Sequence, residues 1–553
     1  MSSHTRREFL ATTSLAVAGT VLGSRRLFAQ VLPSDVAHSP LAASAFFPEP
    51  MAALDLRMLA TSGVDAARGA GASYADICIG ERHLLAVSLS DVDPFNPFTR
   101  MESALTYGIR VIVDGALAFV HGTVPTVDAV STAARNAVTT ARGYARVMRR
   151  RVEFTPSPVV TGNWETPIEI DPFMVPLGDQ TALLNAYQTA ATRVHNGDYA
   201  FGSDLDWTRE TRVFASSEGS LVTQILRRGD PTLRSAGDCG MGRVQLRLPR
   251  LGAASGGYEV AAIPGLQDQI KDLTEEAVRL ARLPRRTLDV GRYPVVLDSM
   301  TFGSALTQTM GQALELDRVL GYEADASGTS YLTPPDEFLG TPIASPLLTV
   351  TANRAMPSVS AVKWDDEGVE SHEFPVVTEG RLVDYCTSRQ TAPSLHAIYE
   401  RNGVPMRSHA CAVAPAAGDA VLVRVPHLTV APATQSASID DLCADVTRGL
   451  LVRWKYYFSI DQQFSSATLT SGIVGVLLEI EKGKVVRRVE GNGLQFSTRR
   501  FWKSLTALGD SSTMGNGFST ADKGQPWQSI TQSATAPAGF FKDVDVVVTR
   551  AAV

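Results

Sequence analysis

The chain has 553 residues, 44% of them hydrophobic and 20% charged, and a net charge of −6 at pH 7. That length fits about two to four domains of ordinary size and a large core that needs no cross-links. The acidic balance, with the arginines read as dispersed rather than gathered in a block, argues against nucleic acid as the main partner. The five cysteines, Cys78, Cys239, Cys386, Cys411 and Cys443, are scattered and offer neither a disulfide framework nor a C-x-x-C pair.

The first segment, "TRREFLATTSLAVAGTVLGSRRLFAQ", sets Arg6 and Arg7 before Phe9, Leu10 and an uncharged run to Gly23. The run is too short to cross a ~30 Å hydrocarbon core at ~1.5 Å per residue. Residues 1–30 therefore read as a twin-arginine export signal, a route for folded chains, and imply a periplasmic or extracellular location. No later segment is long and apolar enough to span a membrane. Residues 31–52, rich in Pro, Ala and Ser, read as a linker.

Residues 53–290 read as an α+β domain. Apolar spacing predicts a helix through Leu54, Met58, Leu59 and Val64 that stops at Gly69 and Gly71, then a strand from Tyr74 to Ile79. Ile109, Val111 and Val113 share one face of a hairpin whose turn is Asp114-Gly115. An Ala-rich helix follows, capped by Thr126. Next come a helix in "QTALLNAYQTAATRV", two strands around Ser217-Glu218-Gly219, a helix in "LQDQIKDLTEEAVRLARL" and a strand from Tyr293 to Leu297. "SALTQTMGQALELD", Ser304 to Asp317, reads as an amphipathic helix. From 291 to 553 short alternating runs broken by Gly, Pro, Asp and Asn predict a mostly antiparallel β domain, with hairpin turns at "TEGR" and "EKGK". The fold class is thus α+β, an α+β domain followed by a mostly antiparallel β one.

Chemistry-bearing motifs are sparse. A zinc site takes imidazole, thiolate or carboxylate ligands, and a carboxylate beside the metal activates its water. No H-E-x-x-H occurs; the single His-Glu pair, His372-Glu373, lies in a predicted strand. His409-x-Cys411 would share one face of a strand but lacks two further ligands, so a structural His beside a buried Cys is the simpler reading. There is no G-x-S-x-G elbow, and Gly252 to Gly257 lack a phosphate-binding frame. Asp365, Asp366 and Glu367 concentrate three carboxylates without calcium-loop spacing, which favours an acidic, solvent-facing turn.

The order of several segments carries more information than any single motif. "YADICIGE", "YGIRVIVDGALAFVHG", "AARNAVTTAR", "WETPIEIDPF", "FASSEGS", "VVLDSMTFGSALTQTMGQALELD", "GTSYL", "WDDEGVESHEFPVVTEGRLVDYCTSRQTA" and "VVRRVEGNGLQFSTRRFWKSLTALGD" follow one another as in the TldD/PmbA family, described as gyrase modulators and zinc peptidases, which the chain resembles. In the TldD branch the helix after the strand carries H-E-x-x-x-H, and a Cys near the C-terminus supplies a further ligand. The resemblance sets Thr307 at the first His, Gln308 at the Glu and Gln312 at the second His. Ala521, in "FSTADKGQP", falls at about the Cys. Gly311, Leu314, Glu315 and Asp317 keep the family pattern.

Threonine and glutamine are weak neutral ligands, and an amide takes up no proton near neutral pH. The resemblance therefore implies a non-catalytic member without zinc. It would pair with a like subunit, homo- or hetero-oligomeric, whose TldD-like chain bears the metal, and would shape a chamber for peptides. Glu315, Asp317, Asp365, Asp366 and Glu367 would line or support the degenerate site. The alternatives are an active metallopeptidase with other ligands, and a peptide-binding or assembly scaffold that uses its β edges.

Overall fold

The computed structural model describes residues 27–32, 34–48, 50–90, 97–123, 125–192, 199–238, 243–248, 251–470 and 474–549. Most of the expected export signal, His4, His195 and Cys239 lie outside the described residues. Among the described residues, no helix is long and apolar enough to cross a membrane.

A nine-stranded sheet forms the N-terminal part. Its main path uses β1 (Leu27–Leu32), β2 (Tyr74–Ser90), β3 (Phe98–Val113), β5 (Thr161–Glu165), β6 (Tyr199–Ser216) and β7 (Leu221–Asp238) in the order β1-β3-β2-β6-β7-β5, with β4 (Ala116–Gly122) beside β3. The β3–β4 turn is Asp114-Gly115, with φ of 52° and 82°. Both residues are left-handed, as a two-residue turn matching the strand twist requires. Strands β2 and β6 run well beyond the lengths that their alternation suggests, because each is paired on both sides.

Helices α1 (Ala53–Gly69) and α2 (Val127–Ala145) lie on this sheet over Ile77, Ile109 and Val111, burying Leu56, Val64, Val130 and Val138. Thr126 caps α2 by accepting the Ala129 N–H at 3.1 Å. A second core joins α3 (Leu177–Thr192) and α4 (Leu266–Ala281) to Trp207 and runs on to Val296, Leu451 and Leu478 of the next sheet. Where a linker is expected, residues Ser34–His38 and Ala43–Phe46 form 3-10 turns, with Ala37 and Ala43 fully buried.

The C-terminal part holds a ten-stranded sheet centred on Gly291–Leu297, Arg448–Arg453 and Gly539–Val548, and a six-stranded sheet that ends in Gln528–Ala536 and then Gly515–Lys523. Pairing is mostly antiparallel, as expected, and the turns at Glu379-Gly380 and Lys482-Gly483 are left-handed at both residues. One hydrophobic core fills the space between these sheets and encloses residues 299–319.

That enclosed segment departs from the expected amphipathic helix. Asp298 caps α5 (Ser299–Ala305), which passes into a π-helical turn over Leu306–Gly311 and a 3-10 turn over Gln312–Leu314. Residues 299–305 pack where Gly303 meets Gly517 of the edge strand. A Cβ on Gly517 would stand 2.3 Å from the Ser304 nitrogen, so the two backbones touch directly. With a sheet on each side the segment is buried along its length, which is why its polar residues cannot serve as an exposed stripe.

Candidate functional site

The π-helical turn carries the positions that the sequence singles out. In a regular α-helix residues five apart point ~140° from each other; an i→i+5 turn changes that relation, and such turns occur often at functional sites. Here the side chains divide between two surroundings. Gln308 and Gln312 line an open cleft of about 540 Å³, together with Ser327, Phe458, Gln462, Thr520 and Asp522. Tyr457 and Trp527, 72% and 61% exposed, stand at its rim. Thr307 instead faces the packed side: its hydroxyl donates to the Ser304 carbonyl at 3.0 Å and accepts from the Ser519 hydroxyl at 2.9 Å. Ala521 is 2% exposed, and its carbonyl accepts from Arg424 at 3.0 Å.

Gln308 has its hydrogen-bonding groups committed. Its Nε2 donates to the carbonyls of Ser304 at 3.0 Å and Tyr456 at 2.8 Å, while its Oε1 accepts the Phe458 N–H at 3.2 Å. The donor set at Thr307, Gln308, Gln312 and Ala521 does not fit zinc. A hydroxyl and two amides are poor ligands for that ion, a methyl is none, and both ends of the Gln308 amide already bond backbone groups. Among the described residues no group of three or more His, Cys, Asp or Glu side chains is arranged to hold a metal.

Glu315 and Asp317 are not in the cleft. The Lys523 ammonium, fully buried, spends its three protons on Glu315 Oε2 at 2.9 Å, Asp317 Oδ1 at 2.6 Å and the Val423 carbonyl at 2.7 Å. Glu315 Oε1 accepts from the Val425 N–H at 3.1 Å and Asp317 Oδ2 from the Val423 N–H at 3.1 Å. Burial alone would raise the Glu315 carboxyl, but Lys523 and Arg318 hold it below its ordinary range. Both carboxylates therefore brace the segment 423–425 against the end of the helical segment.

Asp365, Asp366 and Glu367 overturn the expectation of a solvent-facing turn, since all three are buried. They meet the N-terminal sheet. Arg212 bonds Asp366 at 2.8 Å and Glu210 at 2.8 Å; Arg110 bonds Glu367 at 3.0 Å and Asp76 at 2.6 Å. Arg389 extends the array: its guanidinium donates to Glu218 at 2.8 Å and its backbone N–H to Glu367 at 2.6 Å. Burial and the neighbouring Glu367 push the Asp365 carboxyl up to about 8, against the N–H groups of Val369 and Glu367 that favour its ionised form. Glu367 and Asp317 do share a separate hollow of about 270 Å³ with Arg110, Tyr322 and Glu323, but Gln308 and Gln312 do not line it.

His409 and Cys411 do not form a strand face. Ala410 between them has φ of 55°, His409 bonds Asp384 at 2.9 Å and His372 at 3.1 Å, and both residues are core.

Sequence reasoning missed Ser519 and the aromatic rim. The alternation of Gly515–Lys523, which buries Ser519, Ala521 and Lys523 and exposes Thr520 and Asp522, was the available signal. The same strand ends its sheet, and Phe518 turns both its N–H and its C=O to the Ser304 hydroxyl rather than to the paired strand. By the two-residue alternation of antiparallel pairing, Thr520 and Asp522, which line the cleft, aim their backbone groups in the same direction, away from the paired strand.

The chain is thus a mixed α+β protein whose mostly antiparallel sheets enclose a π-helical turn between two of them. Residues 290–547 match the family described as the PmbA/TldA metallopeptidase C-terminal domain. A metalloprotease from Methanothermobacter thermautotrophicus is 25% identical over 311 residues, 55% of this chain and 61% of that one. One from Archaeoglobus fulgidus is 23% identical over 299 residues, 54% and 63% of the two chains. The chain thus matches less than two thirds of the length of these relatives. In fold it resembles TldE from Thermococcus kodakarensis (14% identity, 88% of this chain and 98% of that one, TM-score 0.63). It also resembles a modulator of DNA gyrase from Thermotoga maritima (14% identity, 89% and 100%, TM-score 0.65). The chain belongs to the TldD/PmbA family.

Proposed function

We propose that this chain is a non-catalytic TldD/PmbA-family protein that binds extended peptide in the cleft beside Gln308 and Gln312. It acts outside the cytoplasm, assembled with a like subunit. The observation that carries this reading is the state of Gln308. It stands where the family's general base is expected, it cannot take up a proton, and both ends of its amide are consumed by backbone groups. The edge of Gly515–Lys523 favours peptide as the ligand, since free strand polar groups along a cleft add an extended chain by main-chain hydrogen bonds. Tyr457 and Trp527 at the rim would pack its side chains.

The test is a metal assay of the purified full chain, run beside fluorescence anisotropy with an unstructured labelled peptide. The expected result is saturable peptide binding without cleavage and without stoichiometric zinc. One bound zinc per chain, together with cleavage that a chelator stops, would overturn the proposal. Co-purification with a chain that carries H-E-x-x-x-H would identify the paired subunit.

A further inference from the structure

The reading of the arginines as dispersed fails at one place. Arg142, Arg146, Arg149, Arg150 and Arg151 fall within ten residues at and beyond the end of α2, and all five are exposed. Four of them, Arg142, Arg146, Arg149 and Arg151, line one hollow of about 570 Å³ with Met148 and a single carboxylate, Asp114. Elsewhere in the molecule arginines are commonly paired, as Arg110, Arg212, Arg227 and Arg487 are. Among the described residues none of these five forms an ion pair.

Two of the four are held in place by backbone. Arg142 donates to the Ala70 carbonyl, and its guanidinium lies where a Cβ on Gly71 would come within 2.7 Å. The stem of Arg151 lies on Gly115, whose added Cβ would meet its Cβ and Cγ at 2.8 Å, and the adjacent Val152 N–H bonds the Gly115 carbonyl at 2.7 Å. The negative end of α2 accounts for charge at Arg142 and Arg146. It does not account for Arg149 and Arg151, which lie beyond the helix and face the same hollow. Four cations over one carboxylate repel one another unless an anion sits between them.

We propose that this hollow binds a phosphate-bearing ligand. The chemistry points to phosphate: four guanidinium groups line one hollow, and a planar guanidinium fork matches phosphate oxygens two at a time. The volume suits a small ligand or headgroup. The site is one hollow rather than a stripe, and the chain carries a net charge of −6, so it does not suit a duplex nucleic acid.

The test titrates the full chain with inorganic pyrophosphate by calorimetry at low salt and measures co-sedimentation with phosphatidylglycerol against phosphatidylcholine vesicles. A triple variant, Arg146→Gln, Arg149→Gln and Arg151→Gln, is compared with a charge-matched control, Arg401→Gln, Arg500→Gln and Lys503→Gln, and with Arg149→Gln alone. Circular dichroism checks that each is folded. The expected result is one saturable site that the triple variant weakens tenfold or more and the control leaves unchanged. Binding of pyrophosphate alone assigns a soluble phosphate ligand, and binding of phosphatidylglycerol vesicles alone assigns a lipid headgroup; either upholds the inference. No binding to either probe, equal loss in the control, or tighter binding of poly-glutamate or duplex DNA overturns it.

Discussion

Glutamine and glutamate have nearly the same shape, so Gln308 fills a carboxylate's space while demanding different neighbours. The Ser304 and Tyr456 carbonyls both need its N–H groups. Gln308→Glu removes those donors and sets an acid against two carbonyl oxygens. It should lower stability by about 1–3 kcal/mol, read as a shifted denaturant midpoint, and give no peptidase activity. An unchanged midpoint would mean that these bonds are not made. His427 offers a pH test. Burial pushes its imidazole down to about 4, between the hydroxyls of Ser533 and Thr535. The unfolded chain then binds more protons between pH ~4 and ~6.5, so folding stability is complete above that window and is lost as pH falls through it, by ~3 kcal/mol in all. His427→Gln should remove this slope from a plot of melting temperature against pH. Gln308 and Gln312, which line the cleft, could be singled out in the sequence by family order. Their partners could not, because Tyr456 and Phe458 reach Gln308 from about 150 residues away.

Among elements, the crossing of α5 over the strand Gly515–Lys523 is set by Gly303 on Gly517. Gly517→Ala would drive a methyl into the Ser304 backbone, which cannot yield as a side chain can. The expected cost is about 3 kcal/mol or more, measured by thermal unfolding. Gly340→Ala meets no atom within 4 Å but has φ of 80°, so it should show only the smaller cost of a strained backbone. The hairpin turns, the capped helix α2 and the strand Gly291–Leu297 were legible because each is fixed by local rules. Residues 304–317 were misjudged as amphipathic because polar side chains at helical spacing look the same facing water or facing carbonyls. The register of Gly515–Lys523, which aims Thr520 and Asp522 at the cleft, depends on Ser304 and so on a tertiary contact.

For the molecule as a whole, the array Asp76–Arg110–Glu367 and Glu210–Arg212–Asp366 ties the first sheet to the turn at 365–367. Removing one partner leaves buried charges uncompensated, so Arg110→Met should cost about 3–5 kcal/mol. Since the bonds link the two parts, calorimetry of the native chain should show one transition, and the variant should split or broaden it. The acidic turn looked exposed in the sequence because its counter-charges, Arg212 and Arg110, lie 154 and 257 residues earlier.

The array also bears on how this chain can be cut and recombined. A product starting at residue 290, where the family match begins, would keep Asp366 and Glu367 but leave Arg110 and Arg212 behind. Its newly bared face would carry acids shaped to meet guanidinium groups and an apolar strip once covered by α4. Such a piece is unsuited to life as a free-standing module. A swap of either part for a relative's should therefore succeed only when both sides of the array come from one parent.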